Sequence, residues 1–107
     1  MFNIKKLMEQ AQTLQTRMAE MEDELAQWQE VGVAGADMVK VTLNGKGDLI
    51  DIYIDSKILT PDQASLVYDL IKAASNNAKQ KVSKRVEEYR SKVFSDIPMP
   101  PGMKLPF

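Results

Sequence analysis

The stretch MVKVTLNGKGDLIDIYID, residues 38–55, alternates apolar and polar side chains on either side of an Asn-Gly-containing loop. Val39, Val41 and Leu43 share one face of the first run, and Ile50, Ile52 and Ile54 share one face of the second. Period-two patterning across such a loop predicts an antiparallel β-hairpin over 37–55. Leu49 and Tyr53 make the second run apolar on its opposite face as well. A lone two-stranded ribbon is marginal in water. The hairpin therefore needs a cover and further strands, and a second copy of the chain is the simplest source of them.

Upstream, Ile4, Leu7, Ala11, Leu14, Met18, Met21, Leu25 and Trp28 recur at alternating spacings of three and four. This is a heptad seam, the narrow stripe of a helix that packs on another helix, and it predicts a long helix over 3–30 with Asn3 as its N-cap. At about 1.5 Å per residue such a helix is roughly 40 Å long. A chain of 107 residues has too small a core to bury both ends of it, so one end is expected to project. VGVAGA, residues 31–36, reads as a linker or a poorly specified edge strand.

Downstream, TPDQ at 60–63 announces a second helix over 60–94. Thr60 and Gln63 have the spacing of a capping box, Pro61 suits a first turn, and Asp62 complements the positive end of the helix dipole. Val67, Leu70, Ile71, Ala74, Ala78, Val82, Val86, Tyr89 and Val93 form its apolar stripe. The remaining segment, 95–107, is rich in proline, which forbids regular helix and predicts an extended tail. The chain as a whole reads as one α+β domain over 1–107.

Several chemistries drop out on composition. There is no cysteine and no histidine, so disulfides, thiolate metal sites and imidazole acid–base catalysis are absent. NGKGD is rich in glycine but lacks the GxxxxGK[ST] pattern and does not lead from strand to helix, so it is a hairpin loop and not a phosphate cradle. The acids of EMEDE point in different directions around a helix, and nothing indicates a pocket where paired carboxylates could work. No catalytic residue, metal site, cofactor or small-molecule substrate is expected. The N-terminal MFNIKKLMEQ lacks the apolar run of a signal peptide, and no segment approaches the roughly 20 apolar residues of a membrane span. The expectation is a soluble cytoplasmic protein.

Charge carries more information. The chain has 14 basic and 15 acidic side chains, yet 1–55 holds five bases against ten acids while 56–107 holds nine against five. Residues 70–92 alone contain seven Lys and Arg beside Glu87 and Glu88. Charges that border a packed seam usually cover it with their methylene stems and pair with a neighbouring helix. If a simple hairpin sets the two helices antiparallel, however, the acidic end of the first helix meets 61–70. Lys79–Lys92 then lies beside Lys5 and Lys6. Bases concentrated at the ends of projecting helices form an electrostatic footprint for phosphate backbones. The aromatic residues are dispersed and mostly on core stripes, which argues against stacking platforms for single strands.

LMEQAQTLQTRM, MVKVTLNGKGDLIDIYID, DLIKAASNNAKQK and the ending MPPGMKLPF together resemble the YbaB/EbfC family of bacterial nucleoid-associated proteins, over nearly the whole chain. The resemblance implies a homodimer with a shared sheet and helices projecting like tweezers, and a double-stranded DNA-binding role in the cytoplasmic nucleoid. Positions matching the projecting helices are Lys5, Lys6, Gln12, Gln15 and Arg17 on the first and Lys79, Lys81, Lys84, Arg85 and Arg90 on the last. They are expected to hold phosphates with limited reading of base edges. A second reading, from a different class, is a coiled-coil-type scaffold whose heptad helix binds a protein partner while the charges only solubilise it.

Overall fold

Two long helices flank a three-stranded antiparallel sheet in the computed structural model, which describes residues 3–95. In chain order these are α1 (Ile4–Gln27), β1 (Glu30–Ala34), β2 (Val39–Leu43), β3 (Leu49–Ile54), two 3-10 turns (Ser56–Ile58 and Pro61–Gln63) and α2 (Ala64–Ser95). The architecture is α+β, with strand order β1-β2-β3 and principal extents of 73 × 20 × 17 Å. The expected tail from 96 onward lies outside the described residues.

The core is one face of the sheet under α2. Val39 and Val41 on the central strand are fully buried, against Ala74, Ala78, Val82 and Val86 of α2 and Leu25 of α1. Two completely buried alanines at the contact let the α2 backbone come close to the sheet. At the meeting point β1 has Gly32, where a Cβ would stand 2.1 Å from the Ala74 carbonyl oxygen and 2.3 Å from the Ala78 nitrogen. Small residues on both sides are what bring helix and strand into direct backbone contact.

Three local expectations are revised. Regular helix in α1 stops at Gln27 rather than 30, and Glu30 already begins a strand. The segment 31–36 is no linker, since Glu30–Ala34 pairs with Leu43–Val39 along its whole length. The capping box at Thr60 does not form. Thr60 makes no side-chain cap, Pro61–Gln63 is a 3-10 turn closed by the Gln63 N–H on the Thr60 carbonyl, and regular α-helix starts at Ala64. Asn3, by contrast, does cap α1, its side chain accepting from the Lys6 N–H at 3.2 Å.

The third strand changes where the helices meet. With three strands, β3 ends at the side of the sheet opposite the exit of α1. The second helix therefore starts at that far side and runs back past the α1 exit. Glu30 pairs with Arg85, the Val31 carbonyl with Lys81 and the Val33 N–H with Asn77, in descending order along α2. The helices are antiparallel as expected, but it is the C-terminal turns of each that overlap.

The two sheet edges are treated differently. On β1, Asn77 accepts from the Val33 N–H at 3.1 Å and the Lys81 ammonium donates to the Val31 carbonyl at 2.7 Å. Those outward-facing groups are thereby occupied, one of the ways a protein blunts an edge. On the other side β3 has no neighbour beyond β2, and residues 49–53 are all exposed. A register shift at Thr42/Leu43 sets Leu49, not Ile50, opposite Leu43. The regular alternation of isoleucines read from the sequence is broken there by a bulge.

The NGKGD loop does more than turn the chain. Asn44 is buried, its side-chain oxygen accepts from the Lys46 and Asp48 N–H groups at 2.9 and 3.0 Å, and its amide donates to the Ala26 carbonyl. The Gly45 N–H donates to the Leu25 carbonyl at 2.8 Å. Orphan carbonyls at the end of α1 are thus satisfied by the hairpin loop. Asn44→Ala is expected to lower stability by about 2 kcal/mol, because several buried partners are left unpaired together. Urea unfolding at fixed protein concentration measures this, and an unchanged midpoint would show that the loop closes without the clamp.

Candidate nucleic-acid interface

Lys5, Lys6, Gln12, Gln15 and Arg17 all lie exposed on α1, as do Lys79, Lys81, Lys84 and Arg85 on α2, while Arg90 is half-buried. Exposure is where their equivalence ends. Lys81 holds the β1 edge. The Arg85 guanidinium lies 4.0 Å above the Trp28 ring and donates to Glu30 at 3.1 Å, an ion pair with cation–π support. Arg90 lines a narrow cleft with Met18, Met21, Glu22 and Leu25 of α1. These three side chains belong to the joint between the helices and the sheet.

That joint is where the acids are. The Tyr89 hydroxyl donates to Glu24, and its ring meets Trp28 edge to face with centroids 5.0 Å apart. The hydrogen bond to Glu24, with burial and the Glu24 and Glu20 charges, pushes the Tyr89 pKa up to about 12. The expected segregation, with acids at the base and all bases at the tips, is therefore corrected. Residues 85–90 pack against Glu24 and Glu30 because the extra strand shifts α2 past the α1 exit.

What remains is two separated groups of cations. Lys5, Lys6, Arg17, Lys79 and Lys84 make no side-chain hydrogen bond or ion pair among the described residues. Lys5 and Lys6 occupy the far end of α1, where residues 4–13 are all exposed and the sole acid is Glu9. Trp28 stacks on Arg85, so at about 1.5 Å per residue Lys6 lies roughly 30 Å along the rod from Lys84. The second group is on α2 and contains two residues the sequence reading did not select. Lys79 shares a groove with Lys46 of the hairpin loop, floored by Leu43, Val82 and Val86. Lys84 shares another with Lys92, beside Glu87 and Glu88. Lys46 joins Lys79 only through the docking of the loop on α1, and no spacing in the sequence announces that.

Among the described residues no cluster of three Asp or Glu could hold a metal ion, and no helix is long and apolar enough to cross a membrane. The geometry suits an extended polyanion better than an enclosed ligand. Cations spread over tens of ångströms of exposed helix match the repeat of a phosphate backbone.

Comparison with known proteins agrees. The model of a family described as the YbaB/EbfC DNA-binding family matches residues 1–97. The chain is 46% identical, over the full length of both, to a nucleoid-associated protein of Granulibacter bethesdensis. It is 45% identical, again over the full length of both, to a nucleoid-associated protein of Rhodospirillum rubrum. The fold is similar to the crystal structure of an uncharacterized protein from Helicobacter pylori, with a TM-score of 0.65 and 24% identity, covering 90% of this chain and 97% of that one.

Proposed function

The chain belongs to the YbaB/EbfC DNA-binding family, and from that premise we propose that it is a nucleoid-associated protein that grips duplex DNA as a homodimer. The supporting observation is the exposed, unpaired cations at two levels of each arm, Lys5 and Lys6 at the tip and Lys79 and Lys84 beside the sheet. Arg17 sits between them. In this reading these five hold phosphates, Gln12 and Gln15 add hydrogen bonds, and Lys81, Arg85 and Arg90 hold the arm in shape. Mostly phosphate contacts give affinity with little sequence preference.

The dimer completes the grip. β3 offers an open edge, with Leu49, Ile50, Ile52 and Tyr53 between 41% and 61% exposed. An apolar edge of that kind is a template for pairing with another strand, and the β1 edge is already occupied by α2. Joining two copies at β3 leaves each α1 projecting and yields two arms around one duplex. The protein acts in the cytoplasm, on the nucleoid, by binding and not by catalysis.

Electrophoretic mobility shift across a salt series tests the reading. Each phosphate neutralised steepens the fall of log K with log salt by about 0.9. A slope near −4 is expected, equivalent to about a 250-fold loss of affinity between 50 and 200 mM salt. Binding indifferent to salt, or none in dilute buffer, refutes the proposal.

A further inference from the structure

The seam of α1 is only half used. Met21 and Leu25 are buried and Leu14 and Met18 half-buried, whereas Ile4 is 62%, Leu7 42% and Met8 66% exposed. α2 stops short of this bare half. Trp28 and Glu24 meet Tyr89, and Met18 to Leu25 share a cleft with Arg90, so the antiparallel overlap brings Ser95 level with about Met18. From that point twelve more residues follow, DIPMPPGMKLPF, apolar apart from Asp96 and Lys104.

We propose that this C-terminal segment, 96–107, docks on the bare half of the α1 seam and takes over from α2 as its cover. The rises agree. A proline-rich chain advances about 3.1 Å per residue against about 1.5 Å for the helix. Counting from Ser95, that sets Ile97 near Leu14, Met99 near Ala11 and Leu7, and Met103 near Ile4. The side chains bordering the bare seam are Met8, Gln10 and Gln15, uncharged and compatible with an apolar strap. Lys5 and Lys6 lie on the opposite side of the helix from the seam, so docking leaves them open to DNA.

A tethered occupant fits better than a separate one. Four apolar residues over three turns fall well short of the 20–30 residues a side of a stable interface between chains. A short tether supplies an effective concentration in the millimolar range, which makes a small patch sufficient. The gain is stiffness. An uncovered helical end is marginal in water, and this one carries the tip cations.

The chain has no cysteine, which makes a crosslinking test direct. In the full-length double variant Ala11→Cys/Met99→Cys, mild oxidation is expected to form a disulfide within a single 12.1 kDa chain. Thr13→Cys/Met99→Cys, with the first thiol on the outer face, is expected to stay reduced. A disulfide formed only between chains assigns the seam to a second copy and overturns the proposal, as does equal crosslinking in both variants or none in either. A second readout uses Ile97→Ser/Met99→Ser, expected to speed amide hydrogen exchange across residues 7–14 about tenfold; unchanged exchange also refutes docking.

Discussion

Gly32→Ala is expected to abolish the folded state. The added Cβ would stand 2.1 Å from the Ala74 oxygen, 2.3 Å from the Ala78 nitrogen and 2.8 Å from the Ala78 Cα. All three obstacles are backbone atoms, so no rotamer change relieves the clash, and α2 must lift from β1 by more than an ångström. That lift would strip the Asn77 and Lys81 bonds from the β1 edge and open the packing over Val39 and Val41. Overpacking of this kind, combined with lost buried hydrogen bonds, costs more than about 4 kcal/mol, a large part of the 5–15 kcal/mol that holds a typical domain together. Far-ultraviolet circular dichroism during heating should show no cooperative transition at 25 °C and above. A melting temperature within a few degrees of the parent would mean that the helix and strand are not locked as described. Gly45→Ala, which meets the Leu25 oxygen at 2.7 Å at the edge of a loop, is expected to cost less, because the loop can shift without moving α2.

Gly32 also marks where reading the sequence stops. The hairpin, both helices and the stripe from Val67 to Val93 are legible because each repeats a period over many residues. β1 is five residues long with a glycine at its centre, and its strand character lies in its partners: Ala74 and Ala78, forty residues away, are small so that β1 can approach. Local patterning cannot express that pairing. The consequence spreads, since counting two strands instead of three reverses which end of α2 meets α1 and so misplaces every charge on it. Lys81 and Lys84 look alike in sequence, both on a basic helix. Only the position of the β1 edge makes one a structural donor to the Val31 carbonyl and leaves the other exposed. Arg85 is likewise assigned to the scaffold by Glu30, 55 residues earlier, and by Trp28. By contrast Lys5 and Lys6 could be placed from the heptad alone, because nothing in the described residues touches that end of the helix.

This division of cations yields the sharpest functional contrast. Lys5→Ala/Lys6→Ala/Lys79→Ala/Lys84→Ala is expected to weaken DNA binding at least about 100-fold near 100 mM salt and to flatten the salt slope by 2 or more, since each lost phosphate contact removes about 0.9. The loss should be the same for duplexes of unrelated sequence, because phosphates carry no sequence information. Unfolding should be unaffected, as none of the four makes a hydrogen bond or ion pair within the described residues. Lys81→Ala/Arg85→Ala removes only half as many charges, but should do the reverse: it unties the β1 edge and the Glu30 pair, lowering the unfolding midpoint while leaving most of the DNA affinity and salt slope. Fluorescence anisotropy with labelled duplexes, paired with urea unfolding of the same preparations, separates the two. If the Lys81/Arg85 variant stays as stable as the parent yet loses more affinity than the fourfold variant, the phosphates lie along the joint between the helices. The polyanion would then have to enter past Glu24 and Glu30, against their charge, and the arms could not be gripping it from their exposed outer faces.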